Sequence, residues 1–210
     1  VDCTWCLPRR RSPMPHEPVY PVFLRIAGEP VVLVGGGTVA AGKLDGLLAA
    51  AARVTVVAPS IAPAIRTRDV TIVERAFEPS DLDVARFVIA AATPEVNREV
   101  AAAARARNLF VNAVDDVRAA SAFLGGVVRR GDVTVAISTG GAAPALAGML
   151  REALDAILPA ELERWVDVAT AARAEWKQTG VPMAERRPLL FRALDGLYAR
   201  LVRGAAEESR

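Results

Sequence analysis

The sequence predicts an α/β fold in which a doubly wound parallel sheet is followed by a small α+β domain and a C-terminal helical region. Between residues 30 and 114, short apolar runs rich in β-branched residues alternate with alanine-rich helical patterns. Beyond residue 117 the alternation stops, and two strand patterns follow each other with only the polar turn Arg129–Asp132 between them. Three helical patterns come next. This change of pattern predicts that a second domain begins near residue 117.

The first strand pattern, Pro30–Val34, runs directly into Gly35–Gly37 and then into a helical pattern. From Gly35 onward the residues fit the G-x-G-x-x-A spacing of a dinucleotide-binding turn. There the first glycine allows the tight bend, the second lets the backbone approach a pyrophosphate, and Ala40 lets the helix pack closely on the strand. The N–H groups and dipole of the helix N-terminus favour the same anion. Glycine-rich turns also occur without a ligand, but a second buried strand pattern at Arg53–Ala58 completes the βαβ unit of a Rossmann-type site.

The end of the second strand pattern lacks one residue of such a site. An NAD-binding domain commonly carries Asp or Glu there to hold the ribose hydroxyls, whereas this chain reads Ala58–Ser60. Either the adenosine is held by backbone groups and Ser60, or the site is of an unusual kind. Arg66 and Arg68 follow a little later and would favour a 2′-phosphate, unless they are ordinary solvated surface residues.

The other elements of the first half follow in alternation. Before the glycine turn, we expect Tyr20–Leu24 to form a short edge segment. After it we expect a helix from Thr38 to about Ala51, strands at Val70–Arg75, Arg86–Ala92 and Leu109–Val114, and a helix from Thr93 to about Arg107. The run Arg86–Ala92 is almost continuously apolar, which is typical of a strand covered on both faces.

The second half begins with a predicted hairpin of Ala122–Val128 and Val133–Ile137. It leads through Ser138–Pro144 into a helix whose apolar residues recur every three or four positions as far as Ile157. Two more helices are expected at about 160–177 and 183–202, with apolar stripes that face the core or a partner. The predicted organisation is a disordered tail at 1–18, an NAD-binding Rossmann domain at 19–116, a dimerisation domain at 117–158 and a C-terminal helical domain at 159–210.

The N-terminal residues 1–18 hold both cysteines of the chain, Cys3 and Cys6, and its one histidine, His16. The Cys3-x-x-Cys6 spacing suggests a metal or redox site. A closed zinc site within one chain needs a second ligand pair, however, and the sequence offers none. We therefore expect no metal site and two reduced thiols of a cytoplasmic protein. The segment also lacks the apolar core of a secretory signal.

Charge and hydropathy argue against two further classes of protein. The chain carries 26 basic and 24 acidic residues, a formal net charge of +2 that is too small to indicate nucleic-acid binding. No apolar run approaches the roughly 18 residues of a membrane span. We expect neither nucleic acid nor membrane as a partner.

In five segments the chain resembles the precorrin-2 dehydrogenase family, the dehydrogenase/ferrochelatase part of siroheme synthases. Their shared order and spacing are more specific than any one of them, and they extend over most of the chain. The segments are Tyr20–Leu24, Val34–Ala40 with Lys43, Ala90–Thr93, Val111–Asp115 and Ser138–Pro144. Two departures are small: Thr139 stands where serine is common, and Arg118 where lysine is common.

The resemblance implies NAD-dependent oxidation of precorrin-2 to sirohydrochlorin and, in some members, insertion of Fe²⁺ to give siroheme. It implies NAD as the cofactor, a homodimer, and Asp115 as the catalytic aspartate. NAD binding without a ribose carboxylate, as in this family, would account for Ala58–Ser60. The expected cofactor-binding residues are Gly35, Gly36, Gly37, Thr38, Val39, Pro59, Ser60 and Thr93.

Such a reaction needs a base and a means of holding an anionic tetrapyrrole. Asp115 follows the fifth strand pattern, at the edge where nicotinamide is expected, although an aspartate at a strand end also commonly caps a turn. The loop before the next helix offers hydroxyl and N–H groups to carboxylates, and a simple helix cap explains Thr139 almost as well. The substrate-binding candidates are Ser138, Thr139, Gly140 and Arg118, with Arg129 and Arg130 unranked beside them.

Two other function classes fit part of this pattern. A regulatory domain that senses NAD would use the same glycine turn but would not need Asp115. A different oxidoreductase on the same fold would carry the ribose carboxylate that is missing here.

If Fe²⁺ is inserted, we expect the macrocycle to supply the ligands and Asp115 to accept the protons, because the chain beyond the tail has no His and no Cys.

Overall fold

The computed structural model describes the backbone of residues 18–208 and the side chains of residues 18–196. Cys3, Cys6 and His16 lie outside the described residues, so the interpretation of the tail stays a prediction. The chain divides into two compact units. The first runs up to Leu124 and also includes Ser138–Ala143, whereas the second comprises Gly125–Ile137 and the chain from Pro144 onward. The domain limits predicted from the sequence stay predictions.

The first unit contains a five-stranded parallel sheet in the order β3-β2-β1-β4-β5. The strands are β1 (Pro30–Val34), β2 (Arg53–Val57), β3 (Thr71–Val73), β4 (Phe87–Ala90) and β5 (Val111–Ala113). β1 lies at the centre, with β2 on one side and β4 on the other. The strand order reverses at this point, and ligands of open α/β sheets bind at the carboxyl ends of the strands beside such a reversal. The predicted α/β fold with a Rossmann-type sheet is confirmed.

The sheet is buried on both faces, each covered by its own cluster of apolar side chains. Successive side chains of a strand point to opposite faces and therefore enter different clusters. Val31 packs in one cluster with Leu44 of α1 (Thr38–Ala49). Its neighbour Val32 packs in a second cluster with Val100 of α3 (Pro94–Ala106). Full burial of one such side chain contributes about 1.5–3 kcal/mol relative to exposure. The two clusters hold the helices on either side of the sheet, so the N-termini of α1 and α3 stay close to the strand ends that precede them.

Two short helices of the first unit are not predicted by the sequence patterns. They are α2 (Pro63–Arg66) and a 3₁₀ helix at Pro79–Leu82. Each begins at a proline, whose fixed φ suits the first helical position. In the 3₁₀ helix, Glu78 and Asp81 also cap each other's backbone N–H groups. Helices of four residues are too short to show a 3.6-residue periodicity, which is why the pattern misses them.

The predicted edge segment at Tyr20–Leu24 does not pair with the sheet as a strand. These residues form no strand, and their side chains are exposed. An apolar run becomes an edge strand only where a sheet edge accepts its hydrogen bonds. At the β5 edge, the N–H groups of Ser121 and Ala122 both donate to the Val111 carbonyl, which occupies that position.

The second unit consists of the predicted hairpin and three helices. β6 (Gly126–Arg130) and β7 (Val133–Ile137) pair antiparallel, so the hairpin is confirmed, although its first strand begins at Gly126 rather than Ala122. The helices are α4 (Pro144–Ile157), α5 (Leu162–Thr179) and α6 (Met183–Glu208). Arg130 Nη2 lies 2.7 Å from Asp155 Oδ1 and also donates to the Asp155 carbonyl, which ties β6 to α4.

α6 continues past its predicted end near residue 202, to Glu208. Its side chains are described only as far as residue 196, so Leu197, Tyr198 and Leu201 of its expected apolar face lie outside the described residues. Within the part of the chain that the structure describes, no helix has the length and apolar content to cross a bilayer.

A charged pair follows β3. Arg75 donates to Asp81 Oδ2 at 2.9 Å and to Oδ1 at 2.5 Å, and the Glu78 N–H donates to the same carboxylate at 2.9 Å. The side chain of Asp81 is 10% exposed and that of Arg75 is 41% exposed. The hydrogen bond from Arg75 is the largest of the effects on the pKa of Asp81 and lowers it, outweighing the opposite effect of burial.

Replacing Asp81 with Asn should lower the free energy of unfolding by about 1 kcal/mol, because a charge-assisted pair is lost while Arg75 is already partly hydrated. A lowered pKa in the folded state means that the pair stabilises the protein above the ordinary aspartate pKa. The difference between wild type and variant should therefore be full at neutral pH and disappear as the pH falls through the lowered pKa of Asp81. Urea denaturation at several pH values measures both effects.

Asp45→Asn is the matched control, because Asp45 pairs with Arg68 at 2.8 Å with both side chains well exposed. It should cost less than about 0.5 kcal/mol. Equal losses in the two variants would contradict the stabilising role assigned to Asp81.

Candidate functional site

The glycine turn after β1 has one position that only glycine can occupy. Gly35 has φ of +128°, a region that residues with a side chain rarely adopt. A Cβ built on Gly35 would overlap the Ala91 carbonyl oxygen. The Gly35 N–H donates to the Val57 carbonyl at 2.9 Å, and the Ala91 N–H donates to the Val34 carbonyl at 2.7 Å. The ends of β1, β2 and β4 are therefore joined at this glycine.

Gly36 is required for a different contact. A Cβ on Gly36 would overlap the Ser60 carbonyl oxygen and lie 3.1 Å from the Ala58 side chain. The Ala62 N–H donates to the Gly36 carbonyl at 2.8 Å. The turn after β2, with Pro59 and Ser60, is thus packed against the glycine turn, as expected if both contact one ligand.

Gly37 faces open space. A Cβ built there has no atom within 4 Å, and the residue has ordinary extended backbone angles at the N-cap of α1. No side chain caps this helix, and its first turn has no acidic residue. Thr38 and Val39 in that turn are exposed. Because the first N–H groups of a helix have no partner within it, this end of α1 is suited to an anion such as a pyrophosphate.

The two arginines that follow β2 are each paired with a carboxylate and are not free to bind a phosphate. Arg66 is paired with Glu74 at 2.5 Å, and Arg68 is paired with Asp45 at 2.8 Å. Their charges are already matched by surface carboxylates. Of the two alternatives for the adenosine end, contacts through the backbone and Ser60 fit these positions better than recognition of a 2′-phosphate.

Thr93 lies at the end of β4, at the N-cap of α3. Its side chain bonds to the Glu95 carboxylate instead of the helix backbone. The pKa of Glu95 is lowered, first by a hydrogen bond from its own backbone N–H and then by the one from Thr93. Thr93 is exposed beside the Ala91–Ala92 segment that contacts the glycine turn.

Asp115 lies two residues after β5 and has φ of +59°, in the left-handed region. Aspartate adopts this region more often than most residues with a side chain, and Ala51 and Asn108 adopt it as well. The carboxylate is exposed and has no hydrogen bond or ion pair with any described residue. The preceding residue is held in the sheet, since the Val114 N–H donates to the Ala90 carbonyl at 2.9 Å. Asp115 therefore offers a free carboxylate at the carboxyl edge of the sheet.

Asp116 has a local role instead. Its Oδ1 accepts the Arg118 N–H at 3.1 Å and the Ala119 N–H at 3.0 Å, so it caps the turn after β5. The two adjacent aspartates are thus distinguished by geometry. Asp116 has its hydrogen bonds within the turn, and Asp115 is left for a ligand.

The loop Ser138–Ala143 packs in the first unit against the segment that follows Asp115. A Cβ on Gly141 would lie 2.9 Å from Val117 Cγ2 and 3.2 Å from a ring carbon of Phe123. Both Gly140 and Gly141 have positive φ. This close approach brings the predicted substrate-binding loop to the same region as the turn after Asp115.

The hydroxyls of this loop act as local caps. Ser138 Oγ accepts the Gly140 N–H at 3.1 Å, and Thr139 Oγ1 accepts the Ala143 N–H at 3.2 Å. The alternative of a cap for Thr139 is therefore correct as far as the hydrogen bond goes. A hydroxyl that accepts in this way keeps its own O–H to donate, so both side chains can still bind a carboxylate.

Three arginines line a cavity of about 320 Å³ in the first unit. Arg118 was a sequence candidate, whereas Arg98 and Arg105 of α3 were missed. Arg98 also bonds to Glu95 at 3.2 Å. The signal that could have found them is their seven-residue spacing, which places both on one face of a helix. Of the other candidates, Arg130 is engaged by Asp155 in the second unit.

Asn97 was also missed. It lies in the first part of α3, is 3% exposed, and is one of two buried polar residues among those described. Its Oδ1 accepts the Ala92 N–H at 2.9 Å, and its Nδ2 donates to the Val114 carbonyl at 3.2 Å. The sequence signal is that Asn97 lies three and four residues before Val100 and Ala101, on the apolar face of the helix. Its hydrogen-bond partners are not visible in the sequence, because Val114 is distant in the chain.

Among the described residues, no group of three or more His, Cys, Asp or Glu side chains is arranged to hold a metal ion. What the carboxyl edge of the sheet offers instead is a glycine turn with a free helix N-terminus and an unpaired carboxylate. These features suit a dinucleotide and a molecule that gives up a proton.

Comparison with known proteins identifies relatives. A family model described as "Putative NAD(P)-binding" matches residues 22–126, half of the chain, and one described as "Sirohaem biosynthesis protein central" matches residues 130–156. Siroheme synthase 1 of Aeromonas salmonicida is 39% identical over 192 residues, which cover 88% of this chain and 41% of that protein. Siroheme synthase 1 of Serratia proteamaculans is 37% identical over 187 residues, covering 87% of this chain and 39% of that protein. The chain thus spans about two fifths of the length of these curated relatives.

A solved structure described as SirC, precorrin-2 dehydrogenase, has the same fold. It aligns with a TM-score of 0.63 at 24% sequence identity, over 83% of this chain and 88% of that one. The NAD(P)-binding family model covers both the glycine turn and Asp115, the two motifs found in the sequence. The chain belongs to the family whose model is described as "Putative NAD(P)-binding", and it is similar to siroheme synthases over most of its length.

Proposed function

We propose that this protein oxidises precorrin-2 to sirohydrochlorin, with NAD as the hydride acceptor. The observation that carries the proposal is Asp115, a carboxylate without a partner among the described residues, which follows β5 at the edge of the sheet where the glycine turn lies. The similarity to siroheme synthases supports the substrate class. A regulatory domain would bind NAD at the same turn without needing a free carboxylate at this place.

The cofactor site is built from the glycine turn and the turn after β2. Gly35 and Gly36 bring these two segments together, and Gly37 leaves open space beside the uncapped N-terminus of α1. The pyrophosphate of NAD is accepted there by backbone N–H groups. We assign the remaining cofactor contacts to Thr38, Val39, Pro59, Ser60 and Thr93, which are exposed around this space.

The chemistry removes a hydride and a proton from the macrocycle. NAD, when bound, takes the hydride. Asp115 takes the proton, because its exposed carboxylate is free of local hydrogen bonds, whereas that of Asp116 is engaged in the turn. The same carboxylate is suited to accept pyrrole protons if Fe²⁺ is then inserted as a second substrate, with the macrocycle nitrogens as the ligands.

The substrate is a polycarboxylate, and the edge of the first unit has groups to bind it. Ser138, Thr139 and Gly140 offer O–H and N–H donors from a loop that packs against the turn after Asp115. Arg118 follows Asp115 in the chain and lines the cavity with the arginines of α3. Guanidinium groups pair with carboxylates in a bidentate manner, which both attracts and orients such a substrate.

We further propose a homodimer formed through the second unit. The exposed face of α4 includes Leu146, Met149, Leu150 and Ile157. Contiguous apolar surface of this kind commonly marks a protein interface, and identical chains most often pair with twofold symmetry.

Asp115→Asn should lower the turnover number for precorrin-2 oxidation by about 10²–10⁴-fold, because the amide keeps the shape but cannot accept a proton. NAD binding and stability should change little, since the side chain has no partner among the described residues. Anaerobic NADH formation with enzymatically made precorrin-2 measures the rate, and Co²⁺ insertion into sirohydrochlorin is followed in parallel. Asp116→Asn is the control that keeps an acceptor oxygen for the turn. An unchanged turnover number in Asp115→Asn would refute the role of the base.

Gly37→Val should weaken NAD binding by at least about tenfold, which corresponds to about 1.4 kcal/mol. The backbone at Gly37 accepts a side chain and no protein atom lies in its way, so the obstruction would act on the ligand. Calorimetric titration with NAD measures the affinity. Gly42→Val is the control, because Gly42 lies on the same helix and also faces open space. Equal NAD affinity in both variants would argue against the proposed site.

At micromolar concentration the protein should have the mass of a dimer, and Met149→Glu should shift it to a monomer by placing a charge in the apolar face of α4. Light scattering coupled to gel filtration gives the mass. Val84→Glu serves as the control, since Val84 is as exposed as Met149 but lies in the first unit. A monomeric wild type would refute the proposed interface.

A further inference from the structure

We propose that Asn97 is a positioning residue that holds Asp115 in register with the dinucleotide-binding turn. This inference rests on the role of Asp115 in the proposed function. The buried side chain of Asn97 joins the segments that follow β4 and β5, which no exposed site residue does.

The two hydrogen bonds of Asn97 join the ends of neighbouring strands. Oδ1 accepts the N–H of Ala92, two residues after β4, and Nδ2 donates to the carbonyl of Val114, the residue after β5. The Asn97 backbone N–H donates to the Thr93 carbonyl at 2.8 Å, so the side chain is anchored in the first turn of α3. With 3% of its surface exposed, Asn97 has little contact with water that could replace either partner.

On the β4 side, Asn97 binds the segment that contacts the glycine turn. A Cβ on Gly35 would overlap the Ala91 carbonyl and lie 3.1 Å from the Ala92 nitrogen. The N–H held by Asn97 belongs to that same Ala92. Asn97 Oδ1 is therefore linked to the proposed cofactor site through the backbone of Ala92, which packs against Gly35.

On the β5 side, Asn97 holds the peptide that leads into Asp115. The carbonyl of Val114 and the nitrogen of Asp115 belong to one planar peptide group. Fixing the carbonyl oxygen therefore fixes the direction in which the chain enters Asp115. Asp115 itself has φ of +59°, in the left-handed region that aspartate adopts more readily than most residues with a side chain. The hydrogen bond from Asn97 thus fixes the peptide plane from which the Asp115 side chain departs.

An amide is suited to this position because it provides one acceptor and one donor from the same short side chain. Aspartate would keep the acceptor for Ala92 but present a second oxygen to the Val114 carbonyl. Alanine would leave both backbone groups without their partner. A misplacement of about 1 Å in a reacting group can cost about 10²-fold in rate. Loss of Asn97 should therefore reduce the turnover number even though its side chain lies under the site.

The test compares Asn97→Ala and Asn97→Asp with Asn112→Ala as the matched control. Asn112 is the other buried asparagine among the described residues, 7% exposed, and its Nδ2 donates to the Ala122 carbonyl at 2.9 Å rather than to the peptide that leads into Asp115. In the full-length protein at pH 8, we expect both Asn97 variants to lose about 10- to 100-fold in kcat. KM for NAD should change less than about twofold in Asn97→Asp, which keeps the acceptor for the Ala92 N–H. Asn112→Ala should keep kcat within about twofold of wild type at a similar loss of stability.

Hydrogen exchange gives a second measurement that does not depend on activity. Relative to Asn112→Ala, amide exchange should rise in the peptide covering residues 113–117 in both Asn97 variants. In the peptide covering residues 90–93 it should rise in Asn97→Ala only, because aspartate keeps the acceptor for the Ala92 N–H. If the Asn97 variants and Asn112→Ala had equal exchange rates and equal kcat, the positioning role of Asn97 would be overturned. If Asp115→Asn were inactive while the Asn97 variants kept full kcat, the proposed function would stand and this inference would fail. If the wild type did not oxidise precorrin-2, the proposed function would fail, and the exchange pattern alone would decide whether Asn97 holds the Asp115 peptide.

Discussion

The contact of two glycines with neighbouring carbonyl groups is the constraint on which the first unit depends. A side chain at Gly35 would overlap the Ala91 carbonyl, and one at Gly36 would overlap the Ser60 carbonyl. Because backbone meets backbone at both places, the ends of β1, β2 and β4 lie together at one edge. The N-terminus of α1 then opens into the space beside Gly37. The proposed cofactor site is a consequence of this packing more than of any side chain.

The neighbouring strand is joined to that edge by hydrogen bonds. β5 ends with the Val114 N–H bound to the Ala90 carbonyl, while the Val114 carbonyl is bound by Asn97. Steric exclusion at the glycines and a buried amide at α3 thus act on adjacent segments. Their combined effect is that Asp115, an exposed residue in a loop, follows a rigid support. Reacting groups are often placed in this way, on loops held by a well-packed scaffold.

The chain leaves the first unit after Leu124 and returns to it for Ser138–Ala143. This return is possible because the hairpin of β6 and β7 brings the chain back near its starting point. Gly141 then packs against Val117 and Phe123. A loop that is distant in sequence from Asp115 is thereby held against the segment that follows it, and its hydroxyls keep donor hydrogens for a ligand.

The sequence by itself determined the alternating strands and helices, the glycine turn, the hairpin and the family, because each depends on residues close together in the chain. β1 at Pro30–Val34 and the start of α1 at Thr38 were predicted to the residue. Tertiary structure alone decided that Tyr20–Leu24 forms no strand, because pairing requires a free edge that local sequence does not reveal. It also decided that Gly36 is needed for Ser60 and that Asn97 joins Ala92 to Val114. Such roles depend on groups that become neighbours only when the sheet has formed.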